Sequence, residues 1–117
     1  RALQVAKRDG RREDFNRDKL WSSLTKACTK RPLPLGSVEK IVEEIEAQLA
    51  DVGRAEITSK VIGEMIMEGL KNLDTVAYVR YASVYKDFRE VADFSAFIKG
   101  ERLAGKGALP AKSEEDE

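Results

Sequence analysis

The sequence contains no histidine and one cysteine, Cys28. An internal disulfide is thereby excluded, and so is any cysteine- or histidine-built zinc site within these residues. Without histidine, a nucleophile motif or a metal cluster, nothing meets the geometric requirements of an active site, and no catalysis is expected. No apolar run approaches the roughly 20 residues of a membrane span, and no basic-then-apolar leader is present. A cytosolic protein without membrane contact is the natural reading. Aromatic residues are sparse: among residues 1–33 only Phe15 and Trp21 occur. That is thin support for a module that stacks nucleic-acid bases.

What is present is an uneven distribution of charge. The 117 residues sum to zero net charge. Residues 1–33, however, hold ten Lys/Arg against Asp9, Glu13, Asp14 and Asp18, an excess of six positive charges that the remainder offsets. A basic third on a neutral chain suggests a local anion site. The length suits one domain with one core.

Short-range signals outline the elements. Leu3 to Lys7 reads as a strand, Asp9-Gly10 as a two-residue hairpin turn and Arg12 to Phe15 as the returning strand. Asn16 is expected to cap a helix through about Thr29, with Leu20, Leu24 and Ala27/Cys28 inward. Arg31-Pro32-Leu33-Pro34 stops it. Ser37 is expected to cap a second helix with Val38, Ile41, Val42, Ile45 and Leu49 on one face, ending at Gly53. Ala55 to Ile57 suits a third strand beside the hairpin. Thr58 should open a third helix with Val61, Ile62, Met65, Ile66 and Leu70 inward; Gly63 and Gly69 weaken it and mark close packing. A fourth helix is expected from near Asp74-Thr75 at least to Phe88, and on to Phe97, with Val76, Ala77, Val84, Phe88 and Val91 on its core side. The expected class is α+β, mostly helical: a four-helix bundle capped by a small sheet and hairpin lid. Residues 1–98 form the domain and residues 99–117 a mobile tail.

The stretch VAKRDGRREDFNRDK, residues 5–19, supports two readings. Its charges are those of a solvated hairpin, or Lys7, Arg8 and Lys19 hold a polyphosphate. A cation in the first turn of a helix opposes the macrodipole, and a bound anion near Lys19 would remove that conflict. Val5 and Phe15 would then flank a base, or else form the apolar side of the hairpin. The glycines make neither a P-loop nor a dinucleotide fingerprint. Acidic residues of the stretch, Asp9, Glu13, Asp14 and Asp18, could meet a magnesium ion carried by a nucleotide, although solvated charges explain them equally.

This stretch, extended to VAKRDGRREDFNRDKL, resembles the opening motif of the ATP-cone, the nucleotide-sensing domain in front of many ribonucleotide reductases. The later LDTVAYVRYASVYKDFREVADF is similar to the closing helix of the ATP-cone in the NrdR family, the bacterial transcriptional repressors of ribonucleotide reductase genes. The resemblance implies that ATP and dATP, with or without Mg2+, bind between the hairpin lid and the helices. By it, Lys7, Arg8 and Lys19 take phosphates and Glu13 or Asn16 engages sugar or base. Val5 belongs to the same motif, and Phe15 and Leu20 are apolar wall. Thr58 and Ile62 match pocket positions of the third helix, and Tyr81, Tyr85, Lys86 and Arg89 are pocket or interface residues of the last. It further implies a homo-oligomer whose state responds to nucleotide and controls grip on operator DNA. Family members bind DNA and Zn2+ through an N-terminal four-cysteine ribbon, of which this sequence has no CxxC. Operator binding is therefore expected from that ribbon and not from these residues. The alternative is the activity-control ATP-cone of a ribonucleotide reductase.

Overall fold

The computed structural model describes residues 3–53 and 55–101. In chain order the elements are β1 (Gln4–Ala6), β2 (Arg12–Asp14), α1 (Arg17–Ala27), α2 (Ser37–Val52), β3 (Glu56–Thr58), α3 (Ser59–Leu73), α4 (Thr75–Tyr85) and α5 (Val91–Glu101). None of these helices is long and apolar enough to cross a membrane.

The sheet has the order β2-β1-β3, antiparallel between β1 and β2 and parallel between β1 and β3. Val5 pairs with Ile57, and these are the buried centres of their strands, flanked by more exposed neighbours. One face thus closes the end of the helices, as period-two alternation requires. The hairpin loop differs from the expected two-residue turn. Lys7 N–H donates to Arg11 O at 2.7 Å and Gly10 N–H to Lys7 O at 3.0 Å, so Arg8, Asp9 and Gly10 form a three-residue loop. A type I′ turn needs positive φ at both central residues. Here Gly10 supplies it at 91°, while the Asp9 carboxylate accepts the Arg11 N–H at 3.0 Å.

Helices α1 to α4 form a ring in which each packs on its chain neighbour and α1 meets α4, with Leu24, Val42 and Leu70 sealed between them. Asn16 caps α1 by accepting from the N–H groups of Asp18 and Lys19, and Thr58 caps α3 by accepting from Val61 N–H. At α2 the cap is Gly36, at φ 83°, not Ser37, whose hydroxyl instead donates to Pro34 O at 2.6 Å. Buried Ile41, Val42, Ile45 and Leu49 follow the expected stripe, and Gly53 ends the helix at φ 68°. On α3, Val61 lies outside and Met67 inside, because α3 is sandwiched between α2 and α4 and needs two apolar faces. At Gly69 a Cβ would stand 2.9 Å from Ile41 Cγ2, which accounts for glycine there by close α2–α3 packing.

The long fourth helix is two helices. Asp87 N–H donates to Val84 O and Phe88 N–H to Ser83 O, with Asp87 at φ 58°. This is a Schellman ending with aspartate where glycine usually stands. The expected core side holds only in part: Ala77 is buried and Phe88 packs against the core, but Val84 and Val91 are exposed and Tyr78 and Ala82 are buried in their place. Asp87→Gly should therefore stabilise the fold by about 1 kcal/mol, by removing the Cβ penalty of a left-handed residue. A lowered urea midpoint would show that the Asp87–Arg89 ion pair outweighs the backbone gain. Helix α5 has no buried residue and is held by rings and one carboxylate. Phe97 packs on Tyr78 and Phe88, and Phe94 meets Phe88 edge-on. Glu101 accepts the Tyr78 hydroxyl at 2.9 Å. Of the tail read at 99–117, Lys99 to Glu101 close α5, and residues 102–117 lie outside the described residues.

Candidate functional site

The hairpin, the first turns of α1, and the facing surfaces of α3 and α4 enclose a cavity of about 490 Å³. Its apolar side is built by Val5, Phe15, Leu20, Ile62 and Ile66. Its polar side gathers Lys7, Arg8, Arg11, Lys19 and Lys60 with Asp9, Glu13 and Asp14. The volume falls in the range of small-molecule sites, and a largely apolar wall with a few convergent charges is their usual composition.

Local structure explains how each charge arrives there. Strand β1 stops at Ala6, so Lys7 stands at its end and Arg8 opens the loop; both reach one cleft rather than opposite faces of a strand. Lys19 occupies the first turn of α1, with its N–H on the capping Asn16. Its Nζ lies 2.6 Å from Glu13 Oε1. That hydrogen bond, aided by the charges of Lys19, Lys7 and Arg11, holds the Glu13 carboxyl below its ordinary value against a smaller opposing effect of desolvation. Arg11 pairs with Asp9 at 2.7 Å, and Gln4 donates its side-chain amide to Asp14. Each acid of the cleft is thus engaged. Among the described residues, Lys7, Arg8 and Lys60 have no carboxylate within ion-pair distance.

The tyrosines of α4 form the far wall. Tyr81 and Tyr85 stack with centroids 5.8 Å apart at 18°. Burial, followed by the neighbouring Tyr85, pushes the Tyr81 hydroxyl up to about 12. Tyr85 O–H donates to Lys60 O at 3.2 Å, and its ring lies on Gly63, where any Cβ would overlap it.

Of the residues expected from the sequence, Val5, Lys7, Arg8, Glu13, Phe15, Asn16, Lys19, Leu20, Ile62, Tyr81 and Tyr85 line this cavity together. Thr58 stands outside it as the cap of α3. Lys86 lines a neighbouring depression with Lys60, Glu64 and Lys71, its Nζ 5.9 Å from the Tyr85 centroid. Arg89 pairs with Asp87 at 2.8 Å. Sequence reasoning missed Ser23, Ser59, Lys60, Gly63 and Ile66. Helical spacing could have found most of them, since Ser59, Gly63 and Ile66 share the face of Ile62 and Ser23 follows Leu20 by three.

A nucleotide fits this arrangement: an apolar slot for a base adjoins a cluster of cations for phosphates. Zinc does not, because the sequence offers Cys28 as its one sulfur ligand and no histidine.

The ATP cone domain family matches residues 3–91. The transcriptional repressor NrdR of Dehalococcoides mccartyi is 52% identical over 96 residues, 82% of this chain and 55% of its own length. NrdR of Rhodospirillum rubrum is 52% identical over 99 residues, covering 85% of this chain and 65% of the relative. NrdR of Caulobacter vibrioides is 50% identical over 107 residues, covering 92% and 68%. The chain spans little more than half of the first of these and about two thirds of the others. All three are named as repressors and not as enzymes, in line with the expectation of a chain without catalysis.

Proposed function

Because this chain belongs to the ATP-cone family, in the branch of the NrdR transcriptional repressors, we propose that it is the nucleotide-sensing part of a repressor of ribonucleotide reductase genes, working in the bacterial cytoplasm. ATP or dATP occupies the cleft between hairpin and helices. The observation that carries this reading is the group of Lys7, Arg8 and Lys60, without carboxylate partners among the described residues, beside an apolar slot.

Phosphates bind Lys7, Arg8 and Lys19 through charge-assisted hydrogen bonds. Lys19 exchanges its Glu13 partner for phosphate, and the freed carboxylate then accepts from a sugar hydroxyl or a base amino group. Phe15 and Leu20 wall the base. Asn16 keeps its side-chain oxygen on the α1 cap, so its amide is what it offers the ligand. The acids of the cleft are engaged by Arg11, Lys19 and Gln4, so magnesium enters with the triphosphate. Regulation further requires ATP and dATP to favour different assemblies, since equal affinity for two states shifts neither. The nucleotide-dependent homo-oligomer then gains or loses operator DNA, gripped by a zinc ribbon outside these residues. A second reading, the activity-control cone of a ribonucleotide reductase, would use the same cleft. The repressor name shared by the relatives favours the first.

The test is a calorimetric titration of ATP, dATP and GTP into the chain, with molar mass followed by light scattering. Adenine-selective binding, with different masses for ATP and dATP, is the expected result. Lys7→Ala should weaken ATP at least about tenfold, as loss of one charge-assisted contact does. Wild-type affinity in that variant, or no binding of any triphosphate, would remove the cleft from the account.

A further inference from the structure

Arg8 opens an exposed loop, where an arginine ordinarily samples many rotamers and surrenders that freedom on binding. Its guanidinium carbon nevertheless lies 5.8 Å from the centroid of the Tyr85 ring. That is within the range of cation–π attraction. Tyr85 is itself held from three directions: its hydroxyl donates to Lys60 O at 3.2 Å, its ring lies on Gly63, and Tyr81 stacks against it. The ring is a fixed surface, and it and Arg8 line the same cavity.

From this geometry, and resting on the nucleotide reading above, we propose that Tyr85 is a positioning residue for anion binding: its ring holds the Arg8 guanidinium at the cleft so that phosphate meets a prearranged cation. Attraction to a ring consumes none of the five N–H donors of arginine. The donors stay available for bidentate contact with phosphate oxygens, while part of the ordering cost is met before the ligand arrives. The arrangement also links the hairpin to the last residue of α4, directly before the turn into α5.

The experiment is a double-mutant cycle read by calorimetry, with ATP and with inorganic tripolyphosphate, which probes the phosphate end alone. The proteins are wild type, Arg8→Ala, Tyr85→Met, the double variant and Tyr85→Phe. Methionine keeps apolar volume without the ring, and Tyr85→Leu replaces it should that variant not fold. Tyr85→Met should weaken both probes about 3- to 10-fold, the worth of a cation–π contact. Added to Arg8→Ala it should cost nothing more, and Tyr85→Phe, which keeps the ring but loses the hydrogen bond to Lys60 O, should weaken binding less than Tyr85→Met. An equal further loss in the Arg8→Ala background would show that Tyr85 acts on the ligand or the fold directly, and would overturn the inference. Unchanged affinity in Tyr85→Met would overturn it too. Absence of ATP binding by the wild type would instead overturn the nucleotide reading, and this inference with it.

Discussion

Replacing Asp74 by alanine is expected to lower the free energy of unfolding by about 3–5 kcal/mol, the usual cost of removing one partner from a buried ion pair. For a domain of this size that lowers the melting temperature by more than about 10 °C. Asp74 is fully buried at the α3–α4 junction. Its carboxylate accepts from Arg31 Nε at 2.8 Å and Nη2 at 3.1 Å, and from Ala77 N–H at 3.0 Å as the cap of α4. Its own N–H donates to Leu70 O and ends α3. Alanine leaves a half-buried guanidinium unpaired and a helix N–H open at once. Asp74→Asn keeps a capping oxygen but loses the charge and one of the two acceptors of the Arg31 guanidinium, so it should fall between wild type and alanine in urea unfolding. Equal midpoints for all three proteins would show that the pair contributes nothing net.

The same carboxylate gives the fold a pH dependence of defined sign. Burial pushes its pKa up, but the Arg31 hydrogen bond, the Ala77 N–H and the charges of Arg31 and Arg80 outweigh burial and hold it below 3.8. A depressed folded-state pKa means stability that is complete above the unfolded value and lost as pH falls through the folded one. Wild type should therefore lose stability more steeply than Asp74→Asn below about pH 3.8. Parallel curves would assign the acid sensitivity to other carboxylates.

The second large effect is expected at Gly63. Glycine to alanine inside a helix ordinarily stabilises by about 1 kcal/mol. Here the sign reverses, because the new Cβ would occupy the space of the Tyr85 ring. Overpacking of this kind costs about 1–3 kcal/mol. A loss of function should accompany it, since moving Tyr85 shifts the cavity wall and takes the ring from Arg8. ATP affinity is expected to fall at least about tenfold in Gly63→Ala, a loss of about 1.4 kcal/mol. Tyr85→Ala clears the space, so Gly63→Ala added to it should not lower the melting temperature further. A further drop would place the clash elsewhere on α3. Gly69→Ala is the milder counterpart, because its Cβ would stand 2.9 Å from Ile41 Cγ2, a smaller overlap than that with the Tyr85 ring.

These effects depend on residues that differ in how visible they are before folding. The stripe of α2 and the caps Asn16 and Thr58 follow from rules acting within a few residues, and each sits where those rules put it. The basic cluster of the opening stretch was equally legible as a group of neighbours. The end of α4 was not: neither glycine nor proline marks it, and the positive φ of Asp87 goes with its own N–H donating to Val84 O and that of Phe88 to Ser83 O. Ser37 misled for a related reason, since its hydroxyl prefers Pro34 O and leaves the cap to Gly36.

By itself the sequence determined the α+β class, the sheet strands, most helix starts and the cationic, partly apolar character of the opening stretch, because all of these are set by short-range periodicity, capping and turn chemistry. Only the tertiary structure decided that Lys60 and Gly63 join that stretch, that Tyr85 lies between Gly63 and Arg8, and that Arg31 closes on Asp74. Those contacts pair residues far apart in the chain, and no local pattern encodes which distant side chain will fill a given space.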